Sequence, residues 1–200
     1  MEKKKLLEGY YSKLKEALES SKASFIFNKD RSHNATIMRF MFDSSHNVVM
    51  YCGSMSVFRN GFYEKIENEG ENEAEQKLKA EEAKDELKSS LKSFFAKEDS
   101  SLSVIMENYE DVFLSDLIDE NLFKENAAKG RLKLYKLSDN FTFKKKLSHF
   151  SSCDLKLVRL EQDKEEHSAV CIINDEKLSD SSKIMFNKLV SVAVPVSFTK

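Results

Sequence analysis

The chain has 200 residues, 40% hydrophobic and 33% charged, with 32 basic against 34 acidic side chains and a formal net charge of -2. That length suits one domain able to bury a core without disulfides or metal, and the charged share belongs to a globular surface rather than to disorder. The near-neutral balance excludes whole-molecule steering toward nucleic acid, and five glycines with a single proline, Pro195, argue against an all-β protein built on many tight turns.

Met1 to Lys5 is charged and no apolar segment follows, so it does not read as a signal peptide. No apolar run approaches the ~20 residues that a helical membrane span needs. Cys52, Cys153 and Cys171 are widely spaced, and without an export signal they are expected as reduced thiols in a cytoplasmic protein. Cys52 and Cys171 lie inside apolar runs and are expected in the core.

Residues 4 to 20 predict a helix, because Leu7, Tyr10, Tyr11, Leu14, Ala17 and Leu18 recur at steps of three and four. Ser24 to Phe27 fits either a short strand or the entry to the next helix. Asn34 is a plausible N-cap for a mostly buried helix over 35–42, followed by a turn cluster at 43–47. Val48 to Tyr51 is an all-apolar run of the kind found in a central strand covered on both faces, and Gly53 ends it. Phe58, Phe62 and Ile66 repeat every four residues and predict a short helix. A polar loop at 67–75 precedes a long amphipathic helix carrying Ala80, Ala83, Leu87, Leu91 and Phe94 on one face.

Ser101 to Met106 predicts the next strand. Short helices follow over 111–119 and 122–129, with Gly130 as a C-terminal stop. Leu132 to Tyr135 is a strand, and 137–152 reads as polar and irregular. Residues 155–160 alternate apolar and polar, 161–166 is a charged turn, and His167 to Ile173 returns as a partner strand. Ser179 or Asp180 is expected to cap a last helix, with Pro195 beyond its end. The fold expected is α/β: one domain over 1–200 with a mixed, partly parallel sheet, helices on both faces, an antiparallel hairpin at about 154–173 and a C-terminal helix. The N-terminal helix occupies 1–22.

The chemistry is sparse. Gly53 and Gly61 do not fit a phosphate-loop fingerprint, and there is neither a Cys-x-x-Cys nor a His-Glu-x-x-His pattern. No cofactor or metal is called for. The lysine runs at 3–5 and 144–146 are short and read as solvated surface. His33 and His46 fall in polar turns. His149 enters a strand with Asp154 five residues on, which makes the pair candidates for a base or nucleophile oriented by a carboxylate. The bland alternative is a loop histidine bonded to backbone. Gly53 to Gly61 occupies a strand end of the kind at which ligands collect. Ser54, Ser56 and Arg59 are therefore candidate anion ligands, with a structural ion pair as the competing reading. Arg159, two residues before Glu161 on a half-buried strand, is a further ligand candidate whose plain role would be an ion pair.

A short helix leads into Val48-Val49-Met50-Tyr51-Cys52-Gly53, and a long helix feeds Leu102 to Met106. Leu132 to Tyr135, a histidine-bearing segment, a hairpin ending in Asn174-Asp175 and a helix with Phe186 complete the order. Over Ala35 to Pro195 this resembles one half of the phospholipase D-like fold. The catalytic element of that family is His-x-Lys with an aspartate beyond it. Placing its histidine at His149 puts Ser151 where the lysine belongs and Lys156 where the aspartate belongs. The resemblance implies a degenerate member without the covalent phosphohistidine chemistry. It also implies a homodimer or protein partner meeting the motif face.

Three functions follow as expectations. The first is a non-catalytic binding or assembly module in a bacterial regulatory or defence setting. The second is a phosphodiesterase or nuclease using His149 with Lys146 or Asp154 as helper. The third is a sensor of a small anionic ligand at Ser54, Ser56 and Arg59. The charge balance leaves nucleic acid open without pointing to it, and no membrane partner is expected.

Overall fold

The computed structural model describes residues 7–28, 30–68, 72–109, 114–138, 140–141, 146–163 and 168–197. The lysines at 3–5 and 144–145, residues 164–166 of the charged turn, and His167 lie outside them. Helices α1 (Glu8–Glu19), α2 (Arg31–Ser44), α3 (Asn60–Glu67), α4 (Glu73–Ala96), α5 (Glu120–Ala128) and α6 (Glu176–Val190) interleave with eight strands. The strands are β1 (Ser24–Asn28), β2 (Asn47–Cys52), β3 (Ser101–Met106), β4 (Leu132–Leu137), β5 (Phe150–Cys153), β6 (Leu157–Asp163), β7 (Ser168–Ile173) and β8 (Ala193–Val196).

The strands form one sheet in the order β1-β7-β6-β5-β2-β3-β4-β8. β2, β3 and β4 are parallel, because helices carry the chain back between them. The flanking pairs are antiparallel, including β6 with β7. The α/β architecture with a mixed sheet, helices on both faces, the antiparallel hairpin and the C-terminal helix is therefore the one the sequence predicts.

Two predicted helix starts differ from the structure. α2 begins four residues early, capped by Asp30, whose Oδ1 accepts from the His33 amide at 2.8 Å and from the Ser32 hydroxyl at 2.7 Å. Asn34 consequently lies buried within the helix, and His33 belongs to its first turn rather than to a polar turn. α6 is capped by Asp175, which accepts from the Leu178 amide at 3.0 Å, so Ser179 is an interior helical residue. In both cases an aspartate stands upstream in extended backbone, and it caps as well as asparagine or serine.

Two strands went unseen in sequence. Three of the four residues of β5 lie inside the stretch predicted as irregular. Its four residues, Phe-Ser-Ser-Cys, are all buried, and the serines carry little intrinsic strand preference, so pairing with β2 and β6 makes the strand. β8 contains Pro195 at the sheet edge, where a missing N–H breaks no ladder bond that the edge requires.

One face of the sheet carries the larger core, formed with α1 to α5. Phe40, Met41, Leu87, Leu91, Val104 and Phe123 are fully buried there. The other face packs on α6 through Tyr51, Ile105, Phe150, Phe186 and Leu189. At the seam of α2 and α4, the Lys97 ammonium donates to the carbonyls of Phe42, Asp43 and Ser45 at 2.8–3.0 Å, which satisfies the end of α2. Among the described residues no helix is long and apolar enough to cross a membrane.

Candidate functional site

Strand register builds the site. Ser151 of β5 stands opposite Arg159 of β6, and the Glu161 amide donates to the His149 carbonyl at 2.9 Å. Side chains two apart on a strand share a face. His149, Ser151, Arg159 and Glu161 therefore form a square on the side of the larger core, with Met50 beside Ser151 on β2. The alternation seen at 155–160 is thus not a buried face against a solvated one. Val158 is buried toward α6, while Arg159 and Glu161 point to the interior of the opposite face.

That square floors a cavity of about 290 Å³ at the C-terminal end of β2. Asn34 and Met38 of α2 roof it, and the loop after β2 closes it with Ser54 and Ser56. Met55 between them takes a left-handed conformation, φ 56°, with its side chain buried. A left-handed methionine is held only where its surroundings fix it. The buried thioether thus anchors the loop while both serines line the cavity.

The imidazole of His149 sits between two carboxylates. Its Nδ1 lies 2.5 Å from Glu161 Oε2 and its Nε2 lies 3.3 Å from Glu107 Oε1. Burial opposes the charged ring, yet the two glutamates together outweigh it and raise its proton affinity above the ordinary value. Tyr51 donates its phenol to Glu107 Oε1 at 2.5 Å. Burial, and then that bond, hold the phenol neutral.

Arg159 is the buried cation of the group. Its Nε donates to Asn34 Oδ1 at 2.7 Å, and Nη2 lies 3.7 Å from Glu161 Oε1. Burial weakens its hold on the proton, while Glu161 opposes that effect. Asn34 Oδ1 also accepts from Asn28 Nδ2 at 2.5 Å, which fixes the amide orientation at the cavity roof. Cys52, opposite this row, lines the cavity as a neutral thiol, pushed by burial up to about 12. Among the described residues no cluster of His, Cys, Asp and Glu is arranged to hold a metal ion.

A second recess of about 210 Å³ opens beside the first, lined by Arg31, Arg59, Gly61 and Asp116. Ser54, Ser56, Phe62 and Lys65 line both. Arg59 is held by Asp116, with Nε 2.7 Å from Oδ2, and donates from Nη1 to Ser54 Oγ at 3.3 Å.

The sequence candidates separate accordingly. His149, Arg159, Ser54 and Ser56 meet at one cavity, and Arg59 stands at the adjoining recess. Asp154 does not join them. It lies at the far end of β5, and strand rise of about 3.3 Å per residue keeps it well away from His149. Its carboxylate accepts from the His46 amide at 3.2–3.3 Å instead. The pairing of His149 with Asp154 is therefore corrected to His149 with Glu161 and Glu107. Lys156 is likewise remote, turned into solvent with φ 53° and paired with Glu176 at 3.0 Å. Sequence reasoning missed Glu107, Tyr51, Asn34 and Lys65. Glu107 was open to detection, since it follows the last residue of a predicted parallel strand, where site residues gather.

No protein-family model matches the chain, and no curated protein sequence matches it. Among solved structures the chain is similar to TrmBL2, an archaeal chromatin protein whose structure shows a novel mode of DNA binding, at 13% identity and a TM-score of 0.54. That overlay covers 95% of this chain and 64% of TrmBL2, so the chain spans less than two thirds of the neighbour's length. Nuc from Salmonella typhimurium, a phospholipase D family member, overlays at 11% identity and a TM-score of 0.49, covering 88% of this chain and 99% of Nuc. NucT from Helicobacter pylori overlays at 11% identity and a TM-score of 0.48, with the same shares. At such identity the likeness to TrmBL2 is one of fold, and the chemistry rests on the residues of this chain.

Proposed function

We propose that this chain is a non-catalytic, degenerate phospholipase D-like binding module that holds a small anionic ligand in the cavity between α2 and the β5–β6 strands. The observation that carries the reading is Arg159. Its guanidinium is withdrawn from water, faces a 290 Å³ cavity and stands across from Ser151, the position at which the family's motif places lysine. A guanidinium suits phosphate or carboxylate through paired N–H donors. Ser54, Ser56 and Asn34 add polar groups around it.

His149 supports a holding role rather than attack. Both ring nitrogens face carboxylates, at 3.3 and 2.5 Å, so neither is turned toward the cavity for attack on phosphorus. Lys156, in the place of the motif aspartate, is turned into solvent and cannot assist. Catalysis needs a nucleophile in its free-base form, and the two carboxylates raise the ring's proton affinity against that form.

Exposed Phe25 and Phe27 on the edge strand β1 support the further expectation of a protein partner or second copy. The likeness to TrmBL2 raises DNA as a partner. The net charge of -2 gives that reading no electrostatic support.

The test is calorimetry with inorganic phosphate and a hexose monophosphate, alongside hydrolysis of bis-p-nitrophenyl phosphate. Binding that Arg159→Gln weakens, with hydrolysis at background for both wild type and His149→Ala, supports the module. Hydrolysis that His149→Ala abolishes would establish the phosphodiesterase instead, and absence of any binding would remove the ligand.

A further inference from the structure

We propose that the ligand is a monocarboxylate with an aromatic body, its carboxylate at Arg159 and its ring against Met38, Met50 and Phe62. This rests on the reading of the cavity as an anion site and adds the ligand's chemical class.

The cavity lining is graded rather than uniform. Across the sheet, Arg159 of β6, Ser151 of β5 and Met50 of β2 stand in one row, which continues to Val104 of β3 in the larger core. That row passes from cation to hydroxyl to thioether. The roof changes in the same way. Asn34 accepts from Arg159 Nε at 2.7 Å, and Met38, one helical turn on, brings a thioether to the same cavity. Met55 adds a third thioether and Phe62 of α3 an aromatic ring. Thioethers are polarizable and adaptable, and they contact aromatic rings favourably, so methionines beside a phenylalanine suit a flat ring. The hydroxyls of a sugar would lose water against that wall without gaining partners.

Charge and shape limit the head. Arg159 gives Nε to Asn34, and Nη2 has Glu161 Oε1 3.7 Å away, so the guanidinium offers one edge, beside a carboxylate. One edge matches the two oxygens of a planar carboxylate. A doubly charged head would meet Glu161 as well as the guanidinium. A phosphodiester brings two arms, whereas a cavity of about 290 Å³, at the small end of ligand sites, holds one body.

The experiment is calorimetry over a range of temperatures with acetate, phenylacetate, a hexose monophosphate and methyl phenyl phosphate. On wild type, phenylacetate is expected to bind at least about tenfold tighter than acetate or the hexose monophosphate, since burying part of a ring is worth that factor. Its heat-capacity change should be more negative than that of acetate, as apolar burial requires. Phe62→Leu should narrow the gap between phenylacetate and acetate, and Arg159→Gln should weaken both. The wild-type comparison stands whether or not the variants fold. Equal affinities and heat-capacity changes for acetate and phenylacetate overturn the aromatic body while leaving the anion site standing. Binding of either phosphate ester as tight as that of phenylacetate overturns the carboxylate. No binding of any probe overturns the inference and the anion site together.

Discussion

Adjacent residues of the same two strands lead opposite lives. On β5 and β6, Phe150 and Leu160 look toward α6 and pack with Tyr51, Phe186 and Leu189. Their neighbours His149, Ser151, Arg159 and Glu161 look the other way, onto a cavity. The first face is held by dispersion and apolar burial. The second contains charges removed from water that are tolerated only because they face one another. A strand whose polar phase is as covered as its apolar phase is marking a site, since stability alone would fill that phase with apolar residues.

The comparison can be broken from either side. The largest expected effect is on the apolar face. Phe150→Ala should destabilise by about 3–5 kcal/mol through a cavity beneath α6, read by chemical denaturation, while affinity for phosphate probes stays close to wild type. A large loss of binding in that variant would show that the two faces are not separable.

Next is His149→Ala, which leaves Glu107 and Glu161 buried without their shared cation. A loss of about 3 kcal/mol is expected at pH 5, smaller at alkaline pH, where the wild-type ring also gives up its proton. A loss equal at both pH values would deny the charge argument. Tyr51→Phe removes only the donor to Glu107 and should lose about 1.5–3 kcal/mol by the same measurement.

The pH dependence carries a definite sign. The folded-state affinity of His149 for its proton is raised, so the stabilisation it provides is complete below the ordinary imidazole value of about 6.5 and fades as pH rises through the higher folded value. Wild-type Tm measured against that of His149→Gln should therefore converge at alkaline pH. The smallest effect belongs to Asp154→Ala. It removes an exposed carboxylate from the His46 amide, so a change below about 1 kcal/mol and no change in binding are expected.

The legible part of this molecule was periodicity. Leu132–Tyr135, Ser101–Met106 and the long helix through Leu87 and Leu91 announce themselves by spacing, and so does the strand at Val48–Tyr51. The strand that follows the central histidine does not. Phe150-Ser151-Ser152-Cys153 is too short for a pattern, and its serines are buried by neighbours that only the sheet order supplies. Without that strand the partner of His149 had to be sought along the chain, which led to Asp154. The true partners lie across it, on β6 and beyond β3. Arg159 and Glu161 were visible as a pair, yet their phase toward a cavity depends on register with Ser151. Asn34 looked like a cap because its type suits one, and Asp30 took that place.

The claim on which the rest depends is that the imidazole of His149 is held as a cation by Glu107 and Glu161. Nitrogen-15 NMR of the labelled histidine ring, followed through a pH titration, reads that state directly. Both ring nitrogens should remain protonated past the ordinary midpoint of about 6.5, with the transition shifted to higher pH. A midpoint at or below that value, with a neutral ring at pH 7, would contradict the account and restore the histidine as a nucleophile.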